Sequence, residues 1–381
     1  MNQQQIAIPL LTPLLPDRMA IMPYLEQIDS SRQYSNFGPL NTALESRLAA
    51  LFQQHTSHSL HVTTVSNATQ GLELALSSLG LPPKSKVVVP ALTFVASLTA
   101  IIRAGHIPVV ADIDPNSWLI TPEVAMEVAS KSGAQAVLAV AAFGQPLDTH
   151  SWSDLQSSTG LRVLIDAAGA FGSQWVESPD IPVVYSMHAT KALAAGEGGM
   201  VVSGDADLNA HIKQLSNFGI NLDANVGFPV GHLSFVGSNA KLSEYHAAVA
   251  HASLDQWDMQ VQRRQDVYRP YRQSLELACG DALQWQAGVP VTAPTMLCVR
   301  MKAEARQCLE RVCQHQKIAT RRWYQPLLHQ NSDFIQMIRQ VTPVAEAIAS
   351  GLIGLPFSPY MTSAEIDRVV AAVRLAVDAT D

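Results

Sequence analysis

Short apolar, β-branched runs alternate with segments of helical length along the first two-thirds of the chain. Runs at 61–65, 86–89, 107–111, 136–141, 162–165, 183–186 and 200–203 read as strands. Apolar strands separated by helices predict a mostly parallel sheet with helices on both faces, an α/β architecture. After the first run, Leu72, Leu74, Ala75, Leu76 and Leu79 recur at helical spacing and stop at Gly80. A helix therefore begins close behind Val65. Beyond about residue 245 the alternation changes: a helix holding Tyr245 and Ala252 runs on through Arg263, Arg264 and Arg272. Strands at 295–299 and 318–321 then flank a helix at 303–314, which fits a smaller α+β domain. The expected division is a large domain over 1–250, including the N-terminal segment, and a small one over 251–381.

Composition narrows the class. A chain of 381 residues, 48% hydrophobic and 15% charged, can bury a large core and fits two domains. A net charge of -7 and a pI near 5.9 argue against a general nucleic-acid binder. No apolar run approaches the ~18 residues of a spanning helix, and the N-terminus lacks a signal-peptide charge pattern, so no membrane association is expected and the expected location is cytoplasmic. Cys279, Cys298, Cys308 and Cys313 show no paired C-x-x-C spacing and read as reduced structural thiols, with no metal site implied.

The chemistry concentrates in Ser186-Met187-His188-Ala189-Thr190-Lys191, followed by Gly196-Glu197-Gly198-Gly199. One lysine between small polar residues and a glycine hinge looks like a Schiff-base lysine. An amine that forms an imine with pyridoxal phosphate needs a defined turn, a phosphate acceptor nearby and desolvation that keeps part of it unprotonated. Ser186 can supply the phosphate contact; the plain alternative is a surface lysine before a glycine-rich turn. Upstream, the run 162–165 ends in Asp166 and then Ala167-Ala168-Gly169. A carboxylate at the end of a buried parallel strand stands where open α/β sheets bind ligands and can pair with a protonated pyridine nitrogen. A cap on the following segment would look the same. Ser66-Asn67-Ala68-Thr69 opens the helix behind Val65, whose free amides near Ala68 and Thr69 form an anion site, although capping by Ser66 or Asn67 also explains the sequence. Phe94, between the 86–89 strand and the next helix, is placed either to stack on a flat cofactor or to pack in the core.

In this order the motifs resemble the DegT/DnrJ/EryC1/StrS family of sugar aminotransferases, of the aspartate aminotransferase superfamily and fold type I. The resemblance runs from Asn36-Phe37-Gly38-Pro39 through Ala104-Gly105-His106, Ala111-Asp112-Ile113-Asp114 and Phe143-Gly144-Gln145-Pro146 to the lysine motif. It continues in Gly237-Ser238-Asn239-Ala240-Lys241-Leu242-Ser243-Glu244, like the family's interface loop, and in Gly354-Leu355-Pro356-Phe357, like its penultimate strand. It implies that Lys191 forms the internal aldimine with pyridoxal 5'-phosphate and shuttles the proton, while Asp166 pairs with the pyridine nitrogen. Ser186, Ala68 and Thr69 would hold the phosphate, Phe94 would occupy the ring-stacking position, and His188, which matches the motif histidine, joins Lys191 and Asp166 among the catalytic candidates. Asn239 would reach the phosphate of the partner subunit's cofactor, which makes the implied enzyme a homodimer with a shared site.

Cations suited to a substrate diphosphate are Lys241, Arg321 and Arg322, and Arg321-Arg322-Trp323-Tyr324 with His329 resembles a segment at the active-site mouth. Tyr324 and His329 join the substrate candidates. Gly169 stands where many members carry Gln or His near the cofactor's phenolic oxygen. The implied reaction passes an amino group from L-glutamate to a nucleotide-linked keto sugar, preferably a dTDP-4-keto-6-deoxyhexose, for surface-polysaccharide or deoxyamino sugar synthesis. The alternatives are a regulatory protein that keeps the fold without turnover, and a sugar dehydratase using the same cofactor, whose branch carries histidine at the lysine position. A nicotinamide enzyme would need G-x-G-x-x-G behind its first strand, which the turn after Val65 lacks.

Overall fold

The computed structural model describes residues 7–224, 229–332 and 335–380. Helices α1 (Arg18–Ser31) and α2 (Pro39–Phe52) lead into β1 (His61–Val65) and α3 (Ala68–Ser78). Four parallel strands follow with their helices: β2 (Lys86–Pro90), α4 (Val95–Arg103), β3 (Ile107–Ala111), α5 (Pro122–Ser132), β4 (Ala136–Val140), α6 (Thr149–Thr159) and β5 (Arg162–Asp166). Strands β6 (Val183–Ser186) and β7 (Gly199–Ser203) complete the sheet, followed by α7 (Ala206–Ser216), α8 (Glu244–Asp255) and α9 (Trp257–Cys279). The remainder is β8 (Leu297–Arg300), α10 (Ala303–Gln316), α11 (Pro343–Gly351), β9 (Leu352–Leu355) and α12 (Ser363–Asp378).

The large sheet has the order β1-β7-β6-β5-β4-β2-β3. Only β7 runs against the rest, pairing antiparallel with β1 and β6. The other neighbours are parallel, as the buried strands predict. Close packing places α3 on this sheet: a Cβ on Gly71 would stand 3.0 Å from Val184 and 3.2 Å from Val65. The glycine thus lets the start of α3 sit directly over the ends of β1 and β6.

The C-terminal elements surround a second core, in which Tyr271, Leu275, Val299, Leu309, Ile353, Phe357 and Val373 are buried. Its sheet pairs β8 antiparallel with β9. The N-terminal stretch joins this core rather than the large one: Ile8 is buried there, and Ala7 and Ala319 exchange backbone hydrogen bonds with Lys317 and Ile8. In return, Leu327, Leu328, Ile348 and Leu352 pack into the large core.

Two elements differ from the sequence reading. Residues 318–321 form no strand, because Ile318 bridges Ile8 on one side while Arg321 bridges Gly354 on the other, so no continuous ladder forms. The helix expected through 245–272 breaks at Gln256, whose N–H turns back to Ser253 and Leu254. The four cysteines are free, and no helix among the described residues is long and apolar enough to cross a membrane.

Candidate active site

The ends of β5 and β6 carry the two polar groups that sequence singled out. Behind β6 the chain makes a compact turn and returns as β7, and Lys191 sits in that turn. Its amide donates to the His188 carbonyl at 2.9 Å, while Ala189 N–H reaches Gly196 O at 2.9 Å and Met187 N–H reaches Gly198 O at 2.8 Å. Gly198 has φ 151°, and a Cβ there would press on Met187 and Leu242 at about 3 Å, so the return leg requires glycine.

Asp166 is buried at 6% exposure. Its Oδ2 accepts the Ser97 hydroxyl at 2.7 Å and its Oδ1 the Ala168 amide at 3.0 Å. Burial raises its pKa, opposed by these hydrogen bonds and by the charge of Lys191. Lys191 shows the converse: desolvation lowers its pKa and the Asp166 carboxylate opposes the shift. A carboxylate at this strand end suits a ring N–H⁺ as its counter-charge, and a lysine whose pKa is lowered by burial gives up its proton more readily than a solvated one.

An anion cradle lies one strand away. Asn67 caps α3 by accepting the Gln70 amide at 2.9 Å, and the first-turn N–H groups of Ala68 and Thr69 have no acceptor among the described residues. Gly199 pairs with Ser186 across β6–β7 and with Val65 across β7–β1. A Cβ on it would lie 2.6 Å from Ala68 N, so the absence of a side chain brings Ser186 and the start of α3 to one place. These groups fit a phosphate, and Asp166 and Lys191 fit the ring of the same cofactor.

Three aromatic rings stand nearby. Phe94 is 52% exposed at the start of α4 and lies 6.2 Å from the Tyr324 ring. Tyr324 stacks on Phe143 with centroids 5.1 Å apart and planes at 16°. Burial raises the Tyr324 pKa, with further contributions from Cys298 and Asp166.

A model of the DegT/DnrJ/EryC1/StrS aminotransferase family matches residues 17–374. The chain belongs to that family. It is 29% identical to the dTDP-4-amino-4,6-dideoxy-D-glucose transaminase of Shigella dysenteriae over 95% of this chain and 97% of the relative. A Bacillus cereus structure assigned as a PLP-dependent aminotransferase superposes with a TM-score of 0.86 at 27% identity, covering 96% of this chain and 99% of that one. DesI, solved in the presence of its TDP-sugar product, gives 0.83 at 28% identity over 98% and 94%. The fold is the fold type I expected from sequence, the protein is an enzyme, and the family's cofactor is pyridoxal phosphate.

Within this DegT-type frame the remaining candidates fall in different places. His188 Nδ1 faces the Thr190 hydroxyl at 2.9 Å and amide at 3.3 Å, and its Nε2 lies 3.7 Å from Glu197. Its contacts brace the turn that carries Lys191. Asn239 is exposed and accepts from Lys241 Nζ at 2.7 Å; Lys241 also lies over the Phe218 ring. Arg321 is exposed, stacks on Trp323 and forms no salt bridge among the described residues. Arg322 is committed to Glu310 by two bonds of 2.6 and 2.7 Å. His329 is held by Glu346 at 2.9 Å and by Thr342, so its imidazole ties the segment before α11 in place.

A Cβ on Gly169 would meet only Gly144 N, at 3.9 Å, so a side chain could begin there without a clash. Sequence reading passed over Thr93, Ser97 and Phe143 as site residues. The signal for Ser97 was a hydroxyl in the first turn of a helix that follows a strand. For Phe143 it was an aromatic residue before glycine, held at φ 60°.

Proposed function

We propose that this enzyme transfers the amino group of L-glutamate to a nucleotide-linked keto sugar, with a dTDP-4-keto-6-deoxyhexose as the preferred acceptor. The observation that carries the reading is the close approach of Gly199 to Ala68, which brings Ser186 to the start of α3, with buried Asp166 and desolvated Lys191 in electrostatic reach of each other at the neighbouring strand ends. The names of the Shigella relative and of DesI support a TDP-linked acceptor.

Pyridoxal phosphate, when bound, supplies the electron sink that stabilises negative charge developing at the donor's α-carbon. Asp166 would pair with the ring nitrogen and favour its protonated form. Ser186 and the α3 amides would hold the phosphate, and Phe94 would lie against the ring. Lys191 Nζ takes the proton from the α-carbon of glutamate. In the second half of the reaction it delivers a proton to the sugar carbon that becomes the C–N carbon.

The proposal includes a cytoplasmic homodimer in which Asn239 completes the partner's phosphate site. Phe218, Leu222, Leu233, Phe235 and Val236, on the loop before Asn239, are exposed apolar groups, and Val236 is 93% exposed in the single chain. Burial against a second copy accounts for such a patch. The amino sugar would feed surface-polysaccharide or deoxyamino sugar synthesis.

The visible spectrum of the purified protein tests the reading. A cofactor band that bleaches with L-glutamate in wild type, and does not in Lys191→Ala, is the expected result. A bound cofactor that ignores every amino donor would replace this reading with the regulatory or dehydratase one.

A further inference from the structure

Behind Asp166 lies a second layer of hydroxyls to which the proposed cofactor contacts give no part. Thr93 closes the segment after β2 and Ser97 falls in the first turn of α4, and both are buried, at 2% and 0% exposure. Ser97 Oγ donates to Asp166 Oδ2 at 2.7 Å, and Thr93 Oγ1 lies 3.1 Å from Ser97 Oγ.

We infer that Thr93 and Ser97 form a proton-ordered relay that keeps Asp166 ionised and aimed, making Ser97 a positioning residue for the cofactor's ring nitrogen. An ionised carboxylate only accepts hydrogen bonds, so the Ser97 proton must point at Asp166. Ser97 oxygen is then left as an acceptor, and Thr93 is the donor to it. Both protons thereby take one direction, and the positive end of α4 lies on the same side. Water cannot take over the role, because neither hydroxyl is accessible. Without the relay, a carboxylate so far from solvent gains by taking a proton itself, and the ring nitrogen loses its counter-charge. Ala168 N–H fixes the other oxygen, so the carboxylate plane is set from two directions.

The inference rests on the reading of Asp166 as the partner of the ring nitrogen, and one experiment separates the two. Holoenzyme is loaded with pyridoxal phosphate labelled with ¹⁵N at the ring, and the nitrogen shift is read in wild type, Ser97→Ala, Ser97→Thr, Thr93→Val and Asp166→Asn. Ser97→Ala should move the shift toward the unprotonated ring and lower kcat about 10- to 100-fold, the range for a hydrogen bond to a charged group, with KM for the donor unchanged. Ser97→Thr should restore both, and Thr93→Val should move the shift in the same direction by less. A wild-type shift in Ser97→Ala and Thr93→Val, with Asp166→Asn displaced, overturns the relay and leaves the Asp166 reading intact. A lower melting temperature without a displaced shift overturns it equally. An undisplaced shift in Asp166→Asn overturns both.

Discussion

Gly199 of β7 lies so close to the first residue of α3 that a Cβ on it would stand 2.6 Å from the Ala68 amide nitrogen. The neighbouring atoms are backbone, so no side chain can swing aside. Gly199→Ala must push the start of α3 away from Ser186, the two halves of the proposed phosphate cradle. Overpacking of this kind costs about 1–3 kcal/mol. The expected outcome is weaker binding of pyridoxal phosphate, read by titrating apoprotein with cofactor, with a lower melting temperature of the apoprotein. Cofactor affinity equal to wild type would separate the cradle from this contact.

Arg321 and Arg322 are adjacent in sequence and opposite in circumstance. Arg322 is clamped to Glu310 by two hydrogen bonds, whereas Arg321 rests on Trp323 with no carboxylate partner among the described residues. A guanidinium already paired has little left for a diphosphate. Arg321→Ala should therefore raise KM for the sugar nucleotide several-fold while leaving KM for glutamate unchanged. Arg322→Ala should leave both unchanged and cost up to about 1 kcal/mol of stability, as exposed pairs do. Initial-rate kinetics with each substrate varied in turn decide the matter.

What sequence disclosed depended on how local the cause was. The seven strands of the large sheet announce themselves because each is a short, largely apolar and buried run, and Asp166 and Ala68 sit at a strand end and a helix start that the runs mark, with Lys191 in the turn behind β6. Residues 318–321 misled for the same reason: an apolar start resembles a strand, although pairing with Ile8 and Gly354 comes from opposite ends of the chain. Long-range polar contacts left no local trace. Ser97 meets Asp166 across 69 positions, and Asp112 caps α11 by accepting from Val344 and Ala345 across more than 230. Such pairs arise only when the sheet brings distant loops to one edge.

Glu244 is another of these distant contacts. Its buried carboxylate accepts the amides of Leu40 and Asn41 at 2.8 Å each, from 204 and 203 positions away, and so caps α2. Gly38 makes room for it, since a Cβ there would lie 2.6 Å from the carboxyl carbon. Glu244→Ala would strand two buried donors at a helix start, a loss of about 2–4 kcal/mol. Glu244→Gln keeps one acceptor and should lose less. Denaturant unfolding of the three proteins gives the comparison, and the same α8 start carries the loop that holds Asn239. If that loop serves the partner's site, Glu244→Ala should also shift the dimer toward monomer at low protein concentration.

Lys191 is predicted to cost the apoprotein stability near neutral pH. Desolvation lowers its folded-state pKa below the usual 10.5, with the Asp166 charge only partly offsetting the shift. Between the lowered value and 10.5 the unfolded chain binds more protons than the folded one, so the lysine's contribution to stability improves as pH rises through that window. Below the window the full penalty of burying an ammonium is present; above it the amine is neutral in both states and the penalty is gone. Lys191→Met, similar in length and uncharged, should therefore melt higher than wild-type apoprotein near neutral pH, and the gap should close as pH approaches 10.5. Thermal melts of cofactor-free protein across that range test the sign directly. A gap that widens with pH would mean that the ammonium is held in its charged form by Asp166, and that the amine is not poised for proton transfer before cofactor binds.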